Sequence, residues 1–146
     1  MNAHPQHDPN APAPEGFVPV QLGGDFVTHN GQLYARWFDS RLQLGLRVQR
    51  HQVNPGQSCH GGMLATLADI LLSGAAHYQT DIPRQFLPTI SLQIDYIAAA
   101  PLGCWVQGQA DIGTVYRLQA VTESEGEASS LCAAMKTHGL ACQVRK

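Results

Sequence analysis

From Met63 onward apolar residues recur at three- and four-residue steps: Leu64, Leu67, Ala68, Leu71, Leu72, Ala75 and Ala76. That spacing predicts a helix, and because these positions cover more than one face, the helix is buried. It should end near Gln79 and Thr80, before Pro83. Elsewhere the period is two. Leu42, Leu44, Leu46 and Val48 alternate with Gln43, Gly45, Arg47 and Gln49, so residues 42–53 read as a strand with one buried face. Residues 89–96 alternate Ile90, Leu92, Ile94 and Tyr96 with Thr89, Ser91, Gln93 and Asp95, and Pro101-Leu102-Gly103 then turns the chain. Further strands are expected over 104–111, 115–122 and 129–138, with a turn at 112–114 and a polar hairpin tip at 123–127. Upstream, residues 26–28 and 33–38 read as two short strands around an Asn30-Gly31 turn. Strands, one long helix and four consecutive strands make an α+β fold in which an antiparallel sheet wraps the helix.

The helix carries one carboxylate, Asp69, on a stripe of small or polar residues formed by Ala65, Thr66, Asp69, Ser73 and Ala76. An ionised carboxylate in a dry core costs several kcal/mol, so Asp69 must be hydrogen-bonded, paired or facing a cleft. Just ahead of the apolar pattern stand Gly61 and Gly62, and before them an Asn54-Pro55-Gly56 turn. Amides at the start of a helix have no intrahelical partner and sit at its positive end, so they can hold an anion or a developing oxyanion. Eight residues at about 1.5 Å each separate Gly61 from Asp69 by roughly 12 Å along the axis. That is too far for one reacting carbonyl. If both groups act on one bond, they come from two copies of the helix, which implies a dimer with shared sites.

At 146 residues the chain reads as a single domain. Its formal net charge is −2, with nine scattered Lys and Arg residues, which gives no nucleic-acid footprint. Only 14% of residues are charged against 44% hydrophobic, a balance that suggests surface buried between subunits. Cys59, Cys104, Cys132 and Cys142 show neither a C-x-x-C pair nor metal-ligand spacing, so reduced thiols in a cytoplasmic protein are expected. No apolar run is long enough to cross a bilayer, and the first residues lack the basic and apolar regions of a signal peptide. Residues 1–16, rich in Pro, Asn, Ala and His, read as a flexible or loosely draped tail, with the domain over 17–146.

The turn, H-G-G, the helix G-x-L-A-T-L-A-D and the strand T-x-S-L-x-I-D-Y resemble the hotdog-fold acyl-CoA thioesterases of the phenylacetic-acid-degradation (PaaI) type. The likeness runs from about Leu42 to Gly139. It implies a hotdog fold and hydrolysis of an acyl thioester to a carboxylic acid and a thiol. By that resemblance Asp69 is the catalytic carboxylate, acting as general base on water or as nucleophile. Gly61 is the oxyanion donor, Asn54 polarises the thioester carbonyl or positions water, His60 supports the loop, and Thr89 bonds the water or the Asp69 carboxylate. Gly62, Ala65, Ser73 and Arg117 complete the set as substrate-binding positions, the small helix residues leaving a slot for the acyl group. The family builds each site from two subunits, and its dimers often pair into tetramers. Such hydrolysis needs no metal or redox cofactor, since the carbonyl is already electrophilic and the thiolate leaves readily.

Two positions depart from the family. The strand ending in Asp95-Tyr96 is often followed by an Arg-Pro pair that helps hold the CoA phosphates, whereas this chain has Ile97-Ala98-Ala99-Ala100-Pro101. A basic residue usual after the next strand is replaced by Gly113-Thr114, with Arg117 the nearest cation. Preference for CoA over another pantetheine carrier is therefore open. Structural alternatives stand beside each role: Asn54 as a turn cap, His60 as a packed loop histidine, the glycines as a close approach of helix and sheet, and Thr89 as a cross-strand hydroxyl. Cys59 beside His60 suggests a Cys–His nucleophile, but adjacent residues in an extended loop rarely face each other. Tyr96 and Trp105 read as core or interface residues. The alternative functions on the same fold are a non-catalytic acyl-thioester binding or regulatory module and an acyl-thioester hydratase or dehydratase.

Overall fold

The computed structural model describes residues 7–112 and the backbone of residues 117–121. Its elements are β1 (Val18–Val20), α1 (Gly24–Asn30), β2 (Leu33–Phe38), β3 (Arg41–Arg47), a single 3-10 turn (Arg50–Gln52), α2 (Gly61–Gln79), β4 (Trp105–Asp111) and β5 (Arg117–Val121). The strands form one sheet in the order β1-β2-β3-β4-β5, every neighbouring pair antiparallel. β3 and β4 are adjacent although α2 lies between them in sequence, and α2 packs across these two strands. This is the expected α+β arrangement of an antiparallel sheet around one long helix.

The core lies between that helix and the sheet. Leu44, Leu46 and Val48 from the β3 region, Leu33 from β2 and Leu71 from α2 are fully enclosed. Met63, Leu67 and Ala75 add to the same cluster, so the three- and four-residue spacing along α2 does face the core. Gln79, the last residue of α2, ties helix to sheet: its Oε1 accepts from Leu42 N at 2.8 Å and its Nε2 donates to Ala110 O at 3.0 Å. The helix ends where the sequence places it because that side chain completes the ladder between β3 and β4.

Several expectations need correction. Residues 26–28 are helical, not a strand. Asn30 Nδ2 donates to Phe26 O at 2.7 Å, and Gly31 ends α1 at φ 132°, so Asn30-Gly31 stops a helix instead of turning a hairpin. Val27 turns into the core and gives α1 its reason to pack. The hairpin lies at Asp39-Ser40, both at positive φ, 49° and 57°, between paired Phe38 and Arg41; that is the two-residue turn whose twist suits antiparallel strands. The strand expected over 42–53 ends at Arg47 and gives way to the 3-10 turn. Both of its faces are covered, since Gln43 is 4% exposed and Gly45 is buried under the Trp105 ring. Residues 89–96 form no ladder with any described residue, and Ile90 stands 99% exposed. Their alternation has no described sheet neighbour to act on. The expected strand over 129–138, the hairpin tip at 123–127, and Cys132 and Cys142 lie outside the described residues.

The outer face of the sheet is closed by residues 8–17. Gln49 Nε2 donates to Pro9 O at 2.7 Å, Arg47 Nη2 to Pro12 O at 2.8 Å, and Arg36 Nη1 to Glu15 O at 3.1 Å. Phe17 then meets Trp105 edge-on, 5.0 Å between ring centres, with Tyr34 at 5.5 Å on the same indole. Trp105 is thereby 4% exposed.

Candidate active site

The N-terminus of α2 is set by the loop before it. Val53 and Cys59 bridge to close the loop, and Asn54 fills it. The Asn54 carboxamide oxygen accepts from Gly56 N at 2.9 Å and from Ser58 N and Oγ, each at 3.3 Å. This is the turn-capping role, and it commits one end of the side chain. Cys59 N donates to Ala100 O at 2.7 Å and Leu102 N to Gln57 O at 3.0 Å, which anchor the loop on the turn before β4.

His60 caps α2. Its Nδ1 accepts from Gly62 N at 2.9 Å, so a neutral ring carries its proton on Nε2. The backbone N–H of His60 donates to Gln52 O at 2.7 Å. Gln52 itself is 4% exposed and fully engaged: its Oε1 accepts from Gln49 N, and its Nε2 donates to Asn30 O, both at 2.8 Å. Of the two glycine amides, that of Gly62 is therefore occupied. The Gly61 N–H donates to no described residue. A single free amide at the positive end of a 19-residue helix suits a developing negative charge.

Two turns along the helix Asp69 is half-buried, and Thr89 Oγ1 donates to its Oδ1. The structure thus brings Asp69 and Thr89 together, and gathers Asn54, His60, Gly61 and Gly62 at the helix start. About 12 Å of helix axis still divides the two groups. The stripe between them is narrower than its composition suggests. Thr66 Oγ1 donates to Gly62 O at 2.8 Å and Ser73 Oγ to Ile70 O at 3.0 Å, so both hydroxyls turn back into their own helix. Ala65 is half-buried and Ala76 is buried, which leaves the stripe accessible only over residues 65–73. Arg117 lies on β5 opposite Asp111, and its side chain is outside the described part.

Cys59 is not a poised nucleophile. It is 5% exposed, and burial pushes its thiol from 9.0 up to about 11. The His60 ring is turned to Gly62, away from any role as its base.

Residues 56–130 match the family model described as Thioesterase superfamily. A relative from Pseudomonas aeruginosa (strain PAO1), "Putative esterase PA0474", is 33% identical over 95 residues, covering 64% of this chain and 70% of that protein. The chain belongs to the thioesterase superfamily. Among solved structures, zebra fish thioesterase superfamily member 2 overlays with a TM-score of 0.57 at 22% identity, covering 71% of this chain and 78% of that one. That likeness establishes the hotdog fold. A mutant of the phenylacetic acid degradation protein PaaI from Thermus thermophilus gives a TM-score of 0.48 at 21% identity, over 68% of this chain and 88% of that one.

Two residues of this candidate site in the thioesterase-superfamily chain escape a reading by sequence pattern. Tyr96, expected in the core or an interface, is 55% exposed and donates its hydroxyl to Gly61 O at 3.0 Å. Gln52 holds the loop from beneath. Neither sits in a periodic position that marks its role, although the pairing of Tyr96 with the start of α2 follows once residues 89–96 are laid along that helix. Among the described residues no three His, Cys, Asp or Glu side chains gather as metal ligands, and no helix is long and apolar enough to cross a membrane.

Proposed function

We propose that this protein hydrolyses an acyl-CoA, or an acyl thioester on a related pantetheine carrier, to the free carboxylic acid and thiol. One observation carries the reading: a half-buried carboxylate, Asp69, is oriented by the Thr89 hydroxyl on the same helix whose first amide, Gly61 N–H, has no partner among the described residues. A group that activates water and a group that receives an oxyanion are the two requirements of acyl transfer to water.

Asp69 takes the proton of a water held by Thr89 as that water attacks the carbonyl carbon, or attacks the carbon itself to give an acyl-enzyme anhydride that water then hydrolyses, releasing the carboxylic acid and restoring the carboxylate. In either case the C–S bond breaks as the tetrahedral intermediate collapses, and the sulfur departs as thiolate. Gly61 N–H donates to the oxyanion. The Asn54 oxygen is committed to its turn, so its Nδ2 is the end that donates to the thioester carbonyl. His60 does not touch the substrate; it fixes Gly62 and with it the helix start. Ala65 and Ser73, one turn to either side of Asp69, line the slot for the acyl group, Gly62 borders its oxyanion end, and Arg117 is the candidate for the carrier's phosphates.

The roughly 12 Å between Asp69 and Gly61 supports a site shared by two copies, Asp69 and Thr89 from one and Gly61 and Asn54 from the other. We extend the proposal to the PaaI type, on His60 with Asp69 nine residues on and Asn54 six before, and to a homotetramer of two such dimers. The buried reduced thiol of Cys59 fits a cytoplasmic protein.

The experiment is free-thiol release from short and long aliphatic, phenylacetyl and hydroxybenzoyl-CoA, with wild type beside Asp69→Asn. Release confined to wild type supports the reading and names the acyl class. Release undiminished in Asp69→Asn refutes it, and binding without release favours a non-catalytic module.

A further inference from the structure

We infer that Tyr96 is a positioning residue for the Gly61 amide, an inference that rests on the thioester-hydrolase reading above. Its phenol donates to the Gly61 carbonyl at 3.0 Å. Its ring also lies against the Gly61 α-carbon: a β-carbon there would stand 3.3 Å from Tyr96 Cζ and 3.4 Å from Cε1. Gly61 has no positive φ to explain its identity. A side chain at this position would press on the tyrosine ring, which would have to give by a few tenths of an ångström.

The first turn of a helix is where backbone frays, since its amides lack partners. Here two side chains oppose that. His60 holds the Gly62 N–H from the loop side, and Tyr96 holds the Gly61 carbonyl from residues 89–96. Both contacts fall on one peptide unit, the one between Gly61 and Gly62, which adjoins at the Gly61 α-carbon the unit carrying the Gly61 N–H, the group without a described partner. A donor held still before the reaction needs no reorganisation as charge develops, which is where such donors gain their effect.

The same eight-residue segment makes both contacts. It begins at Thr89 on Asp69 and ends at Tyr96 on Gly61, one hydroxyl for each end of the reactive helix. Tyr96 acts only through Gly61. Its loss should therefore weaken stabilisation of the oxyanion and leave ground-state binding of the thioester largely intact, a fall in kcat at nearly constant KM.

The test compares wild type, Asp69→Asn, Tyr96→Phe and Tyr96→His on the best thioester of the panel, with melting temperatures alongside. Tyr96→Phe keeps the ring and removes the donor, and kcat is expected to fall about five- to tenfold with KM within twofold. Tyr96→His keeps a ring and a donor, and kcat should lie between the two; it also serves if the phenylalanine variant does not fold. The carbonyl stretch of the thioester bound to Asp69→Asn should move toward its free value when Tyr96→Phe is added, a change that mere structural support would not produce. Undiminished kcat in Tyr96→Phe, or a loss confined to KM, overturns the role of Tyr96 while the hydrolase reading stands on Asp69→Asn. No thiol release from wild type overturns both.

Discussion

Thr89 and Asp69, twenty positions apart, are joined by a hydrogen bond from the threonine hydroxyl to the carboxylate Oδ1. The bond reaches a group on α2 from a segment that has no ladder to any described strand, so the segment is held here by side chains. A hydrogen bond to a charged group contributes about 1.5–3 kcal/mol. Thr89→Val, of nearly the same shape, should therefore lower kcat by about ten- to a hundredfold, while Thr89→Ser stays within a few fold of wild type. Steady-state kinetics on one thioester decide this; equal rates for the valine and serine variants would show that the hydroxyl has no part in turnover.

Cys59 gives a prediction of the opposite kind, an absence of effect on chemistry with an effect on stability. Its thiol is pushed up to about 11 by burial, from 9.0. Below pH 9 the thiol is neutral in the folded and unfolded chain, and folding is insensitive to pH through this group. Between about 9 and 11 only the unfolded chain ionises there, so stability falls as pH rises. Urea midpoints from pH 8 to 11 should drop more steeply for wild type than for Cys59→Ala. Turnover at pH 7.5 should be unchanged in Cys59→Ala, and its loss would revive a Cys–His nucleophile.

How much of this could be read from the sequence depended on whether a residue's environment is local. The apolar spacing from Met63 to Ala76 reports the core directly, and α2 lies where that spacing puts it. Asp69 stands out because a carboxylate on such a helix needs a partner, while Thr89 enters only through the family resemblance, as a hydroxyl for the water or for that carboxylate. Residues 26–28 mislead because a short apolar run carries no period; Asn30 and Gly31 decide it through bonds to Phe26 O and Val27 O that only the folded backbone reveals. Gln43 and Gly45 look like an exposed strand face, but the Trp105 ring lies over Gly45 and the Gln43 carboxamide is bonded to Arg36 and to Gln109, contacts between distant parts of the chain. Tyr96 alternates like its neighbours, and nothing in that alternation tells a core tyrosine from one whose hydroxyl holds a glycine 35 positions away.

His60 caps α2 through Nδ1. Removing a helix cap costs about 1 kcal/mol, and His60→Ala should lose that amount in urea unfolding at constant m-value. His60→Asn, which places an acceptor oxygen near the same amide, should recover most of it. If the ring serves the chemistry as well as the cap, kcat will stay low in His60→Asn after stability has returned; parallel recovery of both confines His60 to the helix start.

Gly103 binds the turn before β4 to the covering segment. Its φ is +82°, and a β-carbon would lie 2.3 Å from the His7 carbonyl oxygen and 3.0 Å from Pro9 N. Alanine would thus meet two penalties: about 1–2 kcal/mol for a left-handed backbone, and the displacement of residues 7–9, which carry the acceptor for Gln49. The two can be separated by a double-mutant cycle. Gly103→Ala in the full chain should cost both terms. In a variant lacking residues 2–10 the same change should cost only the backbone term, because nothing remains to collide with. Unfolding free energies from urea titration provide the comparison, and the emission of Trp105, shielded by Phe17 in the same segment, should shift to the red as the segment lifts. An equal cost of Gly103→Ala in both backgrounds would mean that residues 7–9 do not rest on this turn.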